Sequence, residues 1–124
     1  MANLFTNRIF NVDENNIITL YPTTSELTTS SNLNIRRVID SIIITNTSIG
    51  GIYTPNINLF IERNNISYYL TYQESVNSPV IFNKPITLVA SDQLKAQVLN
   101  AKTYGSTDSI TATVSIYLSI LEIQ

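Results

Sequence analysis

Cysteine, histidine and tryptophan are absent from the 124 residues, and glycine occurs only three times. Without cysteine there is neither a disulfide nor a thiolate metal site. Without histidine the commonest general base and the commonest metal ligand are both gone. Charge is scarce as well: seven basic and nine acidic side chains make up 13% of the chain and leave a net charge of -2. Scattered basic residues give no electrostatic footprint for nucleic acid. In the one adjacent arginine pair, Arg36-Arg37, strand geometry would point the two side chains to opposite faces. One solvated arginine and one at an edge or interface fits that better than a phosphate clamp. Apolar runs such as Ile42-Ile43-Ile44 fall far short of the ~20 residues of a membrane span. Residues Met1 to Arg8 hold no apolar segment of signal-peptide length. The expectations are therefore no membrane, no nucleic acid, no cofactor, and assembly in a cytoplasm.

What the chain does contain is isoleucine, 19 times, and Asn, Ser and Thr, together 43 times. A surface this poor in charge lacks the repulsion that keeps proteins apart and suits packing on neighbours. Codon bias in an AT-rich genome explains the same composition equally well.

Alternation of apolar and polar residues is the main structural signal. In Asn56-Ile57-Asn58-Leu59-Phe60-Ile61-Glu62 the odd positions are aliphatic, the pattern of a half-buried strand. Arg63-Asn64-Asn65 interrupts it, and Ile66 to Tyr72 resumes it on even numbers. Asparagine tolerates positive φ, so this reads as a hairpin. From Ile110 to Ile120 the even positions are apolar, and then Leu121 and Ile123 are apolar on odd ones; this predicts a long last strand with a bulge near Ile120. Leu33 to Thr47 is a strand region whose centre is apolar on both sides, as in a central strand with a subunit contact outside it or in a thick core.

With Phe5–Phe10, Ile17–Tyr21, Val80–Phe82, Ile86–Val89 and Gln93–Leu99, these segments predict an all-β fold. The expected form is a single antiparallel β-sandwich, jelly-roll-like, of about eight to nine strands. The expected core is Ile42, Ile44, Leu59, Ile61, Leu70, Leu88, Leu94, Val98, Val114, Ile116 and Leu118. Residues 1–22 form an N-terminal strand or attaching arm, and 23–124 the sandwich domain. Residues 23–32 read as a polar connection, Gly50-Gly51 as a tight turn and Lys102–Ser109 as a long loop.

Catalytic chemistry is hard to build from these residues. A serine nucleophile has no histidine base, and no Ser-x-x-Lys occurs. Asp13-Glu14 diverge, and Glu62 and Glu74 sit near strand ends, unlike a glycosidase carboxylate pair. Asp13, Glu14, Asn15 and Asn16 lack the pattern of a calcium loop. No catalytic, cofactor-binding or metal residue is assigned, and the chain is expected not to be an enzyme. The candidate interface residues are Phe5, Ile9 and Phe10 of the N-terminal segment, Tyr69 and Tyr104. In a regular strand Tyr68 and Tyr72 share a face with Leu70, and Tyr69 faces the other way.

Four segments carry a family likeness. They are Val38-Ile39-Asp40-Ser41-Ile42-Ile43-Ile44-Thr45-Asn46-Thr47-Ser48, Ser67-Tyr68-Tyr69-Leu70, Pro85-Ile86-Thr87-Leu88-Val89-Ala90-Ser91-Asp92-Gln93-Leu94-Lys95-Ala96 and Val114 to Ile123. Together, across roughly residues 27 to 124, they resemble small β-sandwich accessory proteins of tailed-bacteriophage virions, attached to the head, collar or tail. The first resembles that family's strand ending in Asn-Thr-Ser, the third its Pro-Ile-x-Leu-x-x-Gly-Asp-x-Leu-Lys stretch. Two departures stand out: Ser91 replaces the usual glycine, and Ser30-Ser31-Asn32 replaces a Pro-Ala-Gly turn. The resemblance implies a structural virion protein with no active site, above all a capsid decoration or head-attached protein. A neck, tail or fibre-attachment component, or a carbohydrate-binding sandwich module, is the alternative. It also implies a homo-oligomer, with a trimer favoured, whose partners are the major capsid protein or other virion proteins.

Overall fold

The computed structural model describes residues 3–13, 16–28, 35–47, 54–89, 91–99 and 113–123. Nine strands follow one another: β1 (Asn3–Asp13), β2 (Ile17–Tyr21), β3 (Arg36–Asn46), β4 (Asn56–Arg63), β5 (Ile66–Ser75), β6 (Val80–Phe82), β7 (Ile86–Leu88), β8 (Gln93–Leu99) and β9 (Thr113–Ile123). They form two antiparallel sheets. The first has the order β1-β9-β3-β6, with β7 also paired to β3; the second runs β2-β8-β4-β5. The expected antiparallel β-sandwich is the fold.

The pairing is nested. β4 pairs with β5, β3 with β6 and β7, β2 with β8, and β1 with β9. The chain is thus one long hairpin folded over, its successive rungs alternating between the sheets, which is the jelly-roll arrangement. β6 and β7 share one strand position, so nine segments fill eight places. The innermost turn is Asn64-Asn65, with φ of 53° and 63°. Both lie in the left-handed region that asparagine tolerates better than other non-glycine residues.

Alternation sets the core. Ile42, Ile44, Leu59, Leu88, Leu94, Val98, Val114, Ile116 and Leu118 are buried between the sheets, and Ile61 and Leu70 pack against them half-buried. Leu20, Tyr21, Ile39, Ile57, Val76 and Ile120 belong to the same core.

Four local expectations change. β9 is unbulged: it keeps one register against β1 from Asn3↔Ile123 to Asp13↔Thr113. The irregularity lies on its other neighbour, where Ile39 faces Ile120 and Ser41 faces Ser119, leaving Asp40 as the extra residue of β3. Leu121 and Ile123 therefore do not rejoin the core; they line the outer face with Tyr117. In β4, Asn58 and Phe60 are buried along with the aliphatic positions, because the strand lies between β8 and β5 and its outer face is covered by neighbouring side chains. Residues 23–32 are not only a connection. A short helix α1 spans Thr24–Thr28, started by a reciprocal cap in which the Glu26 amide donates to Thr23 Oγ1 and the Thr23 amide donates to Glu26 Oε1. Finally, β5 is irregular. Its register shifts twice against β4, and Gln73 has φ of 50°.

Candidate interaction surface

Residues directly opposite in an antiparallel pair share a face, so the registers define the outer side of the β1-β9-β3-β6 sheet. One row reads Phe5, Leu121, Val38, Thr87; another reads Ile9, Tyr117, Ile43, Ile81. Each row crosses four strands, about 14 Å at the usual strand spacing. Between them runs a polar row of Asn7, Ser119 and Ser41. Phe5, Ile9 and Ile81 are 73%, 69% and 60% exposed, while Tyr117, Ile43, Leu121 and Val38 are half-buried among their neighbours. Of the charged residues in these strands whose side chains are described, Arg36, at one end of the sheet, and Asp40, in the bulge, are exposed. Burial of the two rows on a partner removes apolar surface from water, and Arg36 and Asp40 are the charges such a partner has to meet.

Of the expected interface residues, Phe5 and Ile9 lie on this outer face. Phe10 has the opposite parity; it sits across from Ile116 and packs against the core. Tyr69 belongs to the other sheet, and Tyr104 lies outside the described residues, as do Gly50-Gly51 and the 102–109 loop. Sequence reading missed Tyr117, Ile43 and Ile81 as surface residues, because only the register puts them beside Ile9.

On the outer side of the second sheet, the Tyr69 ring lies 5.2 Å from Phe60 and 5.1 Å from Tyr72, the latter edge-on at 81°. The register shifts in β5 bring Tyr69 and Tyr72 together, so Tyr69 does not stand apart from Tyr72 as a regular strand requires. Tyr69 and Tyr72 are 48% and 64% exposed. Beside them the Lys95 ammonium pairs with Glu62 at 3.1 Å.

Polar groups gather where the two sheets meet at one end. Arg8 donates two 2.7 Å hydrogen bonds to the Glu26 carboxylate, and its guanidinium lies 4.8 Å from the centre of the Tyr21 ring. The hydrogen bond from Arg8 holds the Glu26 carboxyl down at about 2. Burial first, and then the hydrogen bond to Glu122, push the Tyr21 phenol well above its ordinary value. Arg36 and Arg37 do split between faces, Arg36 exposed and Arg37 buried at 6%. Arg37 sits opposite Glu122 and Leu88, and its buried Nε has no hydrogen-bond partner among the described residues. A further ion pair joins Arg63 to Asp92 at 2.7 Å. Asp92 also accepts from the Val89 amide, closing the turn in which Ser91 lies. The hydrogen bonds from Arg63 lower the Asp92 carboxyl.

Each carboxylate in these clusters is taken up by a hydrogen-bonded partner. Among the described residues no three acidic side chains converge as a metal site, and no helix is long and apolar enough to cross a membrane.

No family model matches the chain, and no curated protein does. Seven chains of solved structures match it. One belongs to a structure of infectious bursal disease virus, Gx strain, at 9% identity and a TM-score of 0.44. That match takes in 99% of this chain and 32% of the other, so this chain spans about a third of the viral chain's length.

Proposed function

We propose that this chain is a non-enzymatic structural protein of a bacteriophage virion, a capsid decoration or head-attached protein that stabilises or adorns the particle. The observation that carries the reading is the outer side of the β1-β9-β3-β6 sheet, two apolar rows separated by the polar row Asn7, Ser119 and Ser41. A face of that kind fits burial on another protein better than it fits solvent. The jelly-roll order supports the reading by analogy alone, since that fold serves viral capsids and lectins alike. The partners are the major capsid protein or other virion proteins, and the chain acts as a homo-oligomer, a trimer being the form the family resemblance favours.

Quantitative mass spectrometry of purified particles tests this. Hundreds of copies per particle support a capsid location, a few copies support a neck, tail or fibre attachment, and absence from the particle overturns the proposal.

The exposed Tyr69–Tyr72 pair favours a second reading, a carbohydrate-binding module. The rings stand edge to face, so the pair does not form one flat platform for a sugar. A glycan array with wild type and Tyr69→Ala separates the two.

A further inference from the structure

We propose that β1 is a self-pairing edge, joining two copies of this chain strand to strand about a two-fold axis at Asn7. This goes beyond the virion reading and does not depend on it.

The argument begins with how sheet edges are managed. An open edge strand is a template for another chain unless a bulge, a proline, a charge or sheer shortness blunts it. In this fold β2 is five residues long and its register shifts before Tyr21. β5 has two register shifts and a positive φ at Gln73. β6 and β7 have three residues each. β1 has no bulge and no proline, and its charges are Arg8 and, at its last residue, Asp13. It runs eleven residues in one register along β9, and among the described residues no strand pairs with its other side. From Asn3 to Val12 its one charged residue is Arg8, and Glu26 draws that guanidinium inward.

The sequence of β1 then selects both the partner and the register. An antiparallel pairing that keeps both outer faces on the same side must match residues of equal parity. With Asn7 opposite Asn7 of the second copy, Phe5 meets Ile9, Asn3 meets Asn11, Leu4 meets Phe10 and Thr6 meets Arg8. Apolar side chains meet apolar ones on both faces, and no like charges oppose. Moving the axis to Arg8 sets arginine against arginine and Phe5 against Asn11. Moving it to Thr6 sets Leu4 against Arg8 and Ile9 against Asn3. The Asn7 register alone of the three matches throughout.

It also continues the outer face. The row Val38, Leu121, Phe5 of one copy runs on into Ile9, Tyr117, Ile43, Ile81 of the other, and the two-fold repeats the junction. Parity is preserved along the strand, so whichever backbone groups point to the open side find partners, about eight to ten hydrogen bonds in all. The contact is isologous and closes on itself. Combined with a three-fold contact elsewhere it gives a hexamer, so it is compatible with a trimeric building block.

The chain has no cysteine, which makes a cross-link unambiguous. Asn7→Cys and Asn11→Cys are each introduced into the full chain and oxidised. Asn7→Cys should form a covalent dimer at least tenfold faster than Asn11→Cys, whose copies lie eight residues out of register. Equal rates, or no dimer from either, overturn the proposal. Sedimentation of two double variants reads the register a second way. Phe5→Lys with Ile9→Lys should weaken self-association at least tenfold, and Phe5→Lys with Ile9→Glu should restore it to within about threefold of wild type. Equal loss in both, with unchanged circular dichroism, overturns it. Purified protein suffices for each measurement, so failure of particle binding and failure of this contact are read separately.

Discussion

The Tyr21 hydroxyl donates a 2.8 Å hydrogen bond to the carboxylate of Glu122, 101 residues away. Tyr21 ends β2 and Glu122 lies in β9, so the bond ties the two sheets together at one end of the sandwich. Its neighbours on that end are Arg8, whose cation lies over the Tyr21 ring, and Arg37, opposite Glu122 in the β3–β9 register.

Tyr21→Phe should cost about 1–2 kcal/mol in urea unfolding, the usual loss for a hydrogen bond to a charged acceptor. It should also change the alkaline limb. The native phenol ionises well above its ordinary value of 10.0, so the unfolded chain loses that proton first as pH rises. Wild-type stability then falls from about pH 10 upward, and the Tyr21→Phe variant should show a shallower fall. An unchanged alkaline slope would show that Tyr21 does not titrate differently in the two states.

Glu26 governs the acid limb. Its carboxyl falls from an ordinary 4.5 to about 2 in the folded chain, chiefly through the hydrogen bond from Arg8. A depressed carboxylate contributes stability above its unfolded value and loses it as pH drops through the folded one, here between about 4.5 and 2. Glu26→Gln keeps an acceptor for the Thr23 amide but loses the ion pair. It should cost about 1 kcal/mol at pH 7, after solvent screening, and flatten the dependence between pH 5 and 2. Urea midpoints across that range check both effects.

Leu118→Ala and Ile43→Asn should behave oppositely. Leu118 is fully buried between the sheets, so truncation leaves a cavity and should cost about 2–5 kcal/mol. Ile43 faces outward between Tyr117 and Ile81. Its replacement should cost about 1 kcal/mol or less in the isolated chain while weakening association with particles. Thermal melts paired with particle co-sedimentation separate the two effects.

The Asn64-Asn65 turn predicts a second contrast. Asn65 holds φ of 63°, which glycine adopts freely and a β-branched residue resists. Asn65→Gly should leave stability equal to wild type or raise it by about 0.5 kcal/mol, and Asn65→Val should lower it by about 1–2 kcal/mol. Thermal denaturation of both variants reads the difference.

The sequence by itself determined the strands, the central hairpin and most of the core. Alternation at Leu94, Ala96 and Val98, or at Val114, Ile116 and Leu118, fixes which side of each strand is apolar, because side chains switch face at every residue. The lack of histidine and cysteine likewise narrowed the chemistry before any contact was known. Beyond that hairpin, tertiary structure alone decided which strands are neighbours. Period-2 patterning says that Ile9, Tyr117, Ile43 and Ile81 each face away from some core, and nothing in it says that they form one row. It could not place the bulge either: apolar residues on both parities in β3 and at the end of β9 fit an extra residue in either strand. Only the register, with Asp40 unmatched between Ile39 and Ser41, shows that β3 bends while β9 runs straight. The polar end of the sandwich was invisible for the same reason. Arg8, Tyr21, Glu26 and Glu122 lie on four separate segments, and ion pairs and hydrogen bonds between distant segments leave no periodicity in the chain that makes them.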